Sequence, residues 1–285
     1  MAAFDQILQE FFRHISSMYD KAERESVPMK DALIGSFFFE CFQEFQSTRV
    51  VGNRGLFYEF MAYAFPRSAS SHGQIAQDLW VSWMTQGMRG GTFVEVGAGD
   101  GVHMSNTLML ERDFGWSGLL VEPNPANAKS LKANRSASHL AAAITPTDRS
   151  SVRFAIATDA YLSRVREGSA PDMHDRIGTR TVAETIEVSG VNFASALEAH
   201  QIVAPDYLSL DVEGLELAIL ESIDFGRWKI PLITVEHNWS DNSDSIFQLM
   251  KSVGYACWLP EYVRQDYFFH HPNWLLERLE PSRHS

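Results

Sequence analysis

Gly97, Gly99 and Gly101 stand at every second position after a short run of strand formers, with Glu95 before them and Asp100 among them. Glycine in such a loop lets a ligand approach the backbone closely and lets the chain take up positive φ. The next apolar run, residues 118–121, ends in Glu122. An acid ending the second strand of a nucleotide-binding unit can accept both hydroxyls of a ribose. The spacing here is GxGxG, not the GxGxxG of dinucleotide folds. A dinucleotide would set its pyrophosphate at this loop, and Glu95 and Asp100 would repel it in a partly desolvated site. A cationic nucleoside suits the loop better. S-adenosylmethionine carries a sulfonium, an ammonium and a ribose, and no phosphate.

A second group of acids follows later strands. SLDVEGLE ends a strand at Asp211 and carries Glu213 and Glu216 across the turn into a helix; the next strand ends in Glu236, His237 and Asn238. An acid at the end of a buried strand is costly unless it has a partner or a use. Glu213 and Glu216 also have a plainer reading, as acids that favour a helix start through its dipole. Moving a methyl from a sulfonium to a hydroxyl is an in-line displacement, so the protein must align the acceptor and remove its proton. His237 is the expected proton acceptor, with Asp211 and Glu236 orienting it and Glu213 as a further catalytic candidate. Asp211, Glu236, His237 and Asn238 also offer ligands of the type that Mg²⁺ or Mn²⁺ takes, and such an ion would acidify the hydroxyl. Their spacing matches no fixed metal signature.

The elements that must position these residues read as alternating strands and helices from about residue 90 onward. Strands are expected at 92–96, 118–121, 140–144, 152–157, 182–188, 207–210 and 232–235, with a closing pair at 255–259 and 266–270. Helices are expected at 104–112, 125–134, 193–200 (capped by Asn192), 215–222 and 243–252. This alternation predicts an α/β protein with a mostly parallel, doubly wound sheet. Ligands of such sheets bind beyond the carboxyl ends of the strands, which is where both groups of acids fall. The first seventy residues differ. Aromatic and aliphatic stripes at helical spacing run through Phe4–Met18, Phe37–Phe45 and Leu56–Ala64. Residues 1–70 are therefore read as a helical N-terminal region, packed on the main domain or serving as a cap or dimer interface. Residues 71–285 form the catalytic domain.

Four stretches in this order, VEVGAGDG, SNTLMLERDFGWSGLLVEPNP, YLSLDVEGLELAILESIDF and ITVEHN, resemble the FkbM family of S-adenosylmethionine-dependent methyltransferases over residues 72–270. The resemblance implies a class I methyltransferase (Rossmann-like) fold and methyl transfer to a hydroxyl oxygen of a sugar, a glycan or a polyketide-type natural product. It implies cofactor contacts at Glu95, Gly97, Gly99, Gly101 and Glu122; Ala98, Ser105, Asn106, Pro123 and Asp211 complete the expected cofactor-binding set. It leaves residues 1–70 and 159–180 unexplained. The latter segment lacks periodicity and sits between two strands, where a long irregular insertion is often functional. Arg164, Arg166, His174 and Arg176 within it are candidates to contact an anionic acceptor; the plainer reading is a solvated loop. Gln77 and Asp78 precede the first strand, where family members often carry a Gln and an Asp. Tyr262, Asp266 and Tyr267 lie near the last strands.

Acids outnumber Lys and Arg by 36 to 24, a formal charge of −12, which disfavours nonspecific nucleic-acid binding. Cys41 and Cys257 show no metal or redox spacing and suggest a reducing compartment. The N-terminus has no signal-peptide pattern, and no apolar run approaches the ~20 residues of a bilayer span. A cytoplasmic enzyme without a membrane partner is expected, with a homodimer through the N-terminal helices. The competing readings are a nicotinamide-dependent oxidoreductase, opposed by the acidic GxGxG loop, and a noncatalytic binding protein on the same fold, opposed by the intact loop together with Asp211 and Glu236.

Overall fold

The computed structural model describes residues 54–260 and 265–279 of the chain. The helices expected within 4–18 and 37–45, the dimer contact assigned to them, and Tyr262 lie outside the described residues.

The first described helix is α1 (Arg54–Ala64), followed by a 3₁₀ turn (Phe65–Ser70) and α2 (Gln77–Met84). The α1 stripe Phe57, Phe60, Met61 and Ala64 is buried against Trp80, Trp258 and Phe268. The Phe60 ring meets Trp258 edge-on at 4.9 Å, and Trp80 meets Phe268 edge-on at 5.2 Å. Burying an aromatic or large aliphatic side chain stabilises by about 1.5–3 kcal/mol, so this stripe ties α1 to the main sheet.

That sheet has seven strands. In chain order they are β1 (Thr92–Val96), β2 (Ser117–Val121), β3 (Ser138–Leu140), β8 (Tyr207–Leu210), β9 (Leu232–Glu236), β10 (Ala256–Cys257) and β11 (Asp266–His270). Their spatial order is β10-β11-β9-β8-β1-β2-β3. The five from β9 to β3 run parallel, and β11 and β10 are antiparallel additions. YLSL and LITVE are buried at every position, the signature of parallel strands covered on both faces.

The helices between them begin and end where local chemistry directs. Asn124 caps α4 (Pro125–Asn134), accepting from Ala126 N at 3.1 Å, with Pro125 at the first helical position. Asn192 caps α6 (Phe193–Ala199), accepting from Ala194 N at 2.9 Å. Gly115, at φ 68°, closes α3 (Leu108–Phe114). The remaining helices are α5 (Met173–Ile177), α7 (Glu216–Ser222), α8 (Ser243–Ser252) and α9 (Pro272–Leu279). Helix α3 starts four residues later than periodicity predicts, because Glu95 captures the backbone of Asn106 and holds residues 101–107 as a turn.

Two expectations change. The strand expected at 140–144 is two strands: β3 extends the large sheet, while β4 (Ala143–Thr145) leaves it. The strands expected at 152–157 and 182–188 are β5 (Arg149–Ala157) and β7 (Val182–Asn192), and they do not join the parallel sheet. They pair antiparallel, Phe154 opposite Ile186, in a second sheet of order β4-β7-β5-β6, with β6 at Arg164–Val165. Strand periodicity is the same in both sheets, so only the pairing separates them. Among the described residues no helix is long and apolar enough to cross a membrane.

Candidate active site

The glycine loop is held between the ends of β2 and β8. Gly97 N and Ala98 N both donate to Val121 O at 3.0 Å, and Asp211 N donates to Val96 O at 3.0 Å. Gly97 has φ 89°, and a Cβ there would stand 1.8 Å from the Asp211 carbonyl oxygen. Glycine is thus required because the end of β8 passes against the loop. Gly99 N donates to Glu122 Oε2 at 2.8 Å, and Asn124 N donates to Glu122 Oε1 at 2.7 Å. These two bonds aim the carboxyl. Burial pushes it up to about 7; the two N–H bonds oppose the shift and the nearby Asp211 charge adds to it.

Loop and acid open on a cavity of about 610 Å³, within the ~300–1,000 Å³ range of small-molecule sites. Gly97, Ala98, Gly99, Asn106, Glu122, Pro123 and Asp211 all line it, as do Glu213 and Glu236. Its other wall comes from the second sheet and the segment between β5 and β7, with Ile144, Phe154, Tyr161 and Val165. The second sheet therefore matters to the site: it roofs the carboxyl ends of the parallel strands.

Glu95, Gly101 and Ser105, expected to touch cofactor, are not on the cavity wall. The Glu95 carboxylate is turned into the α3 entry turn. It accepts from Asn106 N at 2.6 Å, Thr107 Oγ1 at 2.5 Å and Ser105 Oγ at 3.1 Å, with Arg135 Nη1 3.7 Å away. Donors of its own loop have used it up. Gly101 makes room for α4 instead of a ligand, since a Cβ there would meet Leu131 Cδ1 at 2.5 Å. Arg135, which binds Gly101 O, Ser105 Oγ, Thr107 Oγ1 and Glu111, locks this turn from behind. A single arginine after a helix gave no sequence signal for that role.

The later acids meet as a cluster. Oxygens of Asp211, Glu213 and Glu236 lie within 4.8 Å of one another. The Asp211 and Glu236 carboxyls hydrogen-bond each other, and burial raises both above the usual carboxylate range. Two carboxyls this close titrate as a pair and not one by one. Glu213, at φ 62°, forms an ion pair with Arg180. Arg180 also binds Asp172 at 2.6 Å and Asp175 at 2.9 Å. Burial alone would lower the Arg180 guanidinium, but these acids raise it. Glu216 is not on the wall: it accepts from Val212 N and Gly214 N at 3.0 Å and so pins the turn that carries Glu213. The helix-start reading describes it.

His237, the expected proton acceptor, lies off the cavity wall. Its ring stacks on Tyr267 at 4.3 Å, its Nδ1 accepts from Trp239 N at 3.2 Å, and it does not line the cavity. Side chains alternate along an extended chain, so Glu236 faces the site and His237 packs behind it. The divalent-cation set of Asp211, Glu236 and His237 is thereby broken. The cluster that does form is Asp211, Glu213 and Glu236, of which Glu213 is also held by Arg180. Next along the chain, Asn238 and Trp239 have φ of 41° and 50°, a costly conformation for these residues that tends to occur at functional sites. Both line the cavity, and Trp239 is exposed at its mouth. Asn238 Nδ2 and Asn106 Oδ1 are buried and have no hydrogen-bond partner among the described residues.

The arginines of residues 159–180 do not supply an anion site. Arg164 grips Asp175 through two bonds of 2.7 and 2.9 Å, and Arg176 binds Trp239 O at 2.6 Å. No Arg or Lys lines the cavity among the described residues. Met173 N donates to Asn238 O at 3.0 Å, and Ala170 N to Gly214 O at 2.9 Å, fastening the segment over the acids. Upstream, Gln77 lines the cavity and donates to Asp266 at 2.9 Å. Asp78 instead ties the start of α2 together, accepting from Ser71 Oγ and His72 N.

A parallel sheet with a glycine loop after β1, an acid after β2 and further acids after β8 and β9 defines a class I, Rossmann-like methyltransferase. The chain belongs to the FkbM methyltransferase family: the Methyltransferase FkbM domain matches residues 95–257, more than half its length. Among solved structures it is similar to an FkbM methyltransferase from Methylobacillus flagellatus KT, at 10% identity over 74% of this chain and 60% of that one, TM-score 0.40. It is also similar to a precorrin-6y C5,15-methyltransferase from Geobacter metallireducens GS-15, at 12% identity over 67% and 84%, TM-score 0.37. No curated protein matches the chain.

Proposed function

We propose that this methyltransferase uses S-adenosylmethionine and methylates a hydroxyl oxygen of a sugar, a glycan or a polyketide-type natural product. The observation that carries this reading is the meeting of the glycine loop, Glu122 and the Asp211–Glu236 pair on one cavity. Orphaned buried polar atoms on Asn106 and Asn238 fit a polar ligand there. When bound, the cofactor supplies a methyl group on a sulfonium.

The chain's own residues do the rest. Glu122 accepts from the ribose hydroxyls, and residues 97–99 pass close to the cofactor. Asp211 and Glu236 take up the acceptor's hydroxyl proton; burial raises both carboxyls, which makes each a stronger base than a solvated carboxylate. Asn238 Nδ2 donates to the acceptor oxygen and orients it. Among the described residues the wall carries acids, with His103 and His174 but no Arg or Lys, which suits an uncharged acceptor better than a phosphorylated one. Trp239 offers an apolar face at the mouth.

On the same reading the partner is a small molecule or glycan, not nucleic acid and not a membrane, and the setting is the cytoplasm. The experiment is a calorimetric titration with S-adenosylhomocysteine and with NADH, followed by a methylation screen over neutral glycosides and macrolides. Binding of NADH and not S-adenosylhomocysteine would return the oxidoreductase reading.

A further inference from the structure

Tyr161 sits in the short connection between β5 and β6, outside every motif that marks the family. Asp159 caps the turn that carries it, accepting from Tyr161 N at 3.2 Å. The turn carries the ring across to the glycine loop on the far side of the cavity. A Cβ on Gly99 would stand 3.1 Å from Tyr161 Cε1, so the ring edge lies on the backbone of the loop's central glycine. Its other neighbour is His103, at 5.4 Å between ring centroids and 41° between planes. Burial, with the charges of Asp100, Asp159 and Glu122 around it, raises the Tyr161 hydroxyl to about 12, so the side chain is a neutral ring at any working pH. Tyr161, His103, Gly99, Glu122 and Pro123 all line the same cavity.

We infer that Tyr161 is a cofactor-binding residue, closing with its ring over the nucleoside end of the ligand that Glu122 holds by its ribose. The inference rests on the proposed cofactor. Its grounds are positional. A ribose accepted by Glu122 lies beside Gly99, whose N–H bonds that same carboxyl, and Tyr161 is the aromatic packed on Gly99. A base has a π-face, and stacking on an aromatic side chain suits any base without reading its edges. The second sheet thereby does more than roof the site: it delivers this ring.

The test measures binding and needs no acceptor. Wild-type protein is titrated calorimetrically with S-adenosylhomocysteine and with 5′-methylthioadenosine, which keeps the nucleoside and lacks the amino-acid end. Tyr161→Ala is expected to weaken both by a similar factor, about 5- to 100-fold given the usual worth of stacking on an aromatic. Tyr161→Phe is expected to stay within about twofold, because the ring and not the hydroxyl makes the contact. The melting temperature of each unliganded variant separates lost stacking from a collapsed turn. If Tyr161→Ala keeps its melting temperature and binds both ligands as wild type does, or loses only S-adenosylhomocysteine, the inference is overturned. If the wild type binds neither ligand, the cofactor reading itself fails.

Discussion

Asp211 and Glu236 hydrogen-bond one another at adjacent strand ends. The ladder explains why: Leu210 pairs with Val235 in the parallel register of β8 and β9, so the two acids are the next step beyond the last pair. Glu236 is in turn opposite Asp266 in β11. A row of acids thus crosses the carboxyl edge of the sheet, placed by register alone. Asp211→Asn and Glu236→Gln are expected to lower methyl transfer by about 10²–10⁴, the usual worth of a positioned base. Both should leave the fold intact. His237→Ala should cost less than tenfold in rate, because its ring packs on Tyr267 away from the cavity. Rates measured for the three variants at saturating cofactor decide between them; a larger loss at His237 than at Asp211 would reverse the assignment.

Arg180 is the counter-ion that lets acids sit under the segment covering the site. Its side chain is 3% exposed, and it pairs with Asp172, Asp175 and Glu213. Arg180→Met leaves buried carboxylates without a partner, which costs about 3–5 kcal/mol. Urea unfolding is expected to show that loss. A fall below about 1 kcal/mol would mean that water replaces the guanidinium.

Glu95 and Glu122 should separate stability from binding. Glu95→Ala removes the acceptor for Asn106 N, Thr107 Oγ1 and Ser105 Oγ, and unfolding should become easier by about 3 kcal/mol or more. Glu122→Gln should instead weaken S-adenosylhomocysteine about tenfold, the worth of a charge-assisted hydrogen bond. Paired calorimetric and denaturation curves check both.

The pH dependence of stability follows from three buried acids. Burial lifts Glu122, Glu216 and Asp266 each to about 7. A carboxyl with a raised folded value holds its proton more tightly when folded than when unfolded. Its contribution therefore favours the fold below about pH 4.5 and is lost as pH rises through about 7. The unliganded protein is expected to melt lower at pH 8 than at pH 6, and Glu122→Gln should flatten that slope. An unchanged slope would mean that Glu122 ionises freely.

Gly97→Ala tests the loop's packing. The added Cβ would meet the Asp211 carbonyl at 1.8 Å with φ at 89°, so backbone must move and soluble folded protein should be lost. Gly115→Ala, at φ 68° with nothing within 4 Å, should cost only about 1 kcal/mol. Thermal melts of the two variants check the contrast.

Much of this was legible in the sequence, and for a definite reason. Buried parallel strands are short apolar runs, and the loops that follow them carry the ligand side of the sheet. Hence β1, β8 and α8, with Gly97, Gly99, Glu122, Asp211 and Glu236, could be placed from residue type and spacing along the chain. Tertiary pairing decided the rest. Residues 149–157 and 182–192 have strand periodicity, but periodicity does not say which sheet a strand joins, so the second sheet and the ring of Tyr161 came only with the fold. A carboxylate at a strand end does not say what it faces. Glu95 found the donors of its own loop, Glu213 found Arg180 and Glu216 found its own turn. His237 fell on the other face of the strand end from Glu236, because neighbouring side chains alternate. Sequence determined which groups reach the edge of the sheet; the distances between them, which tertiary packing sets, decided which of those groups remain available to a ligand.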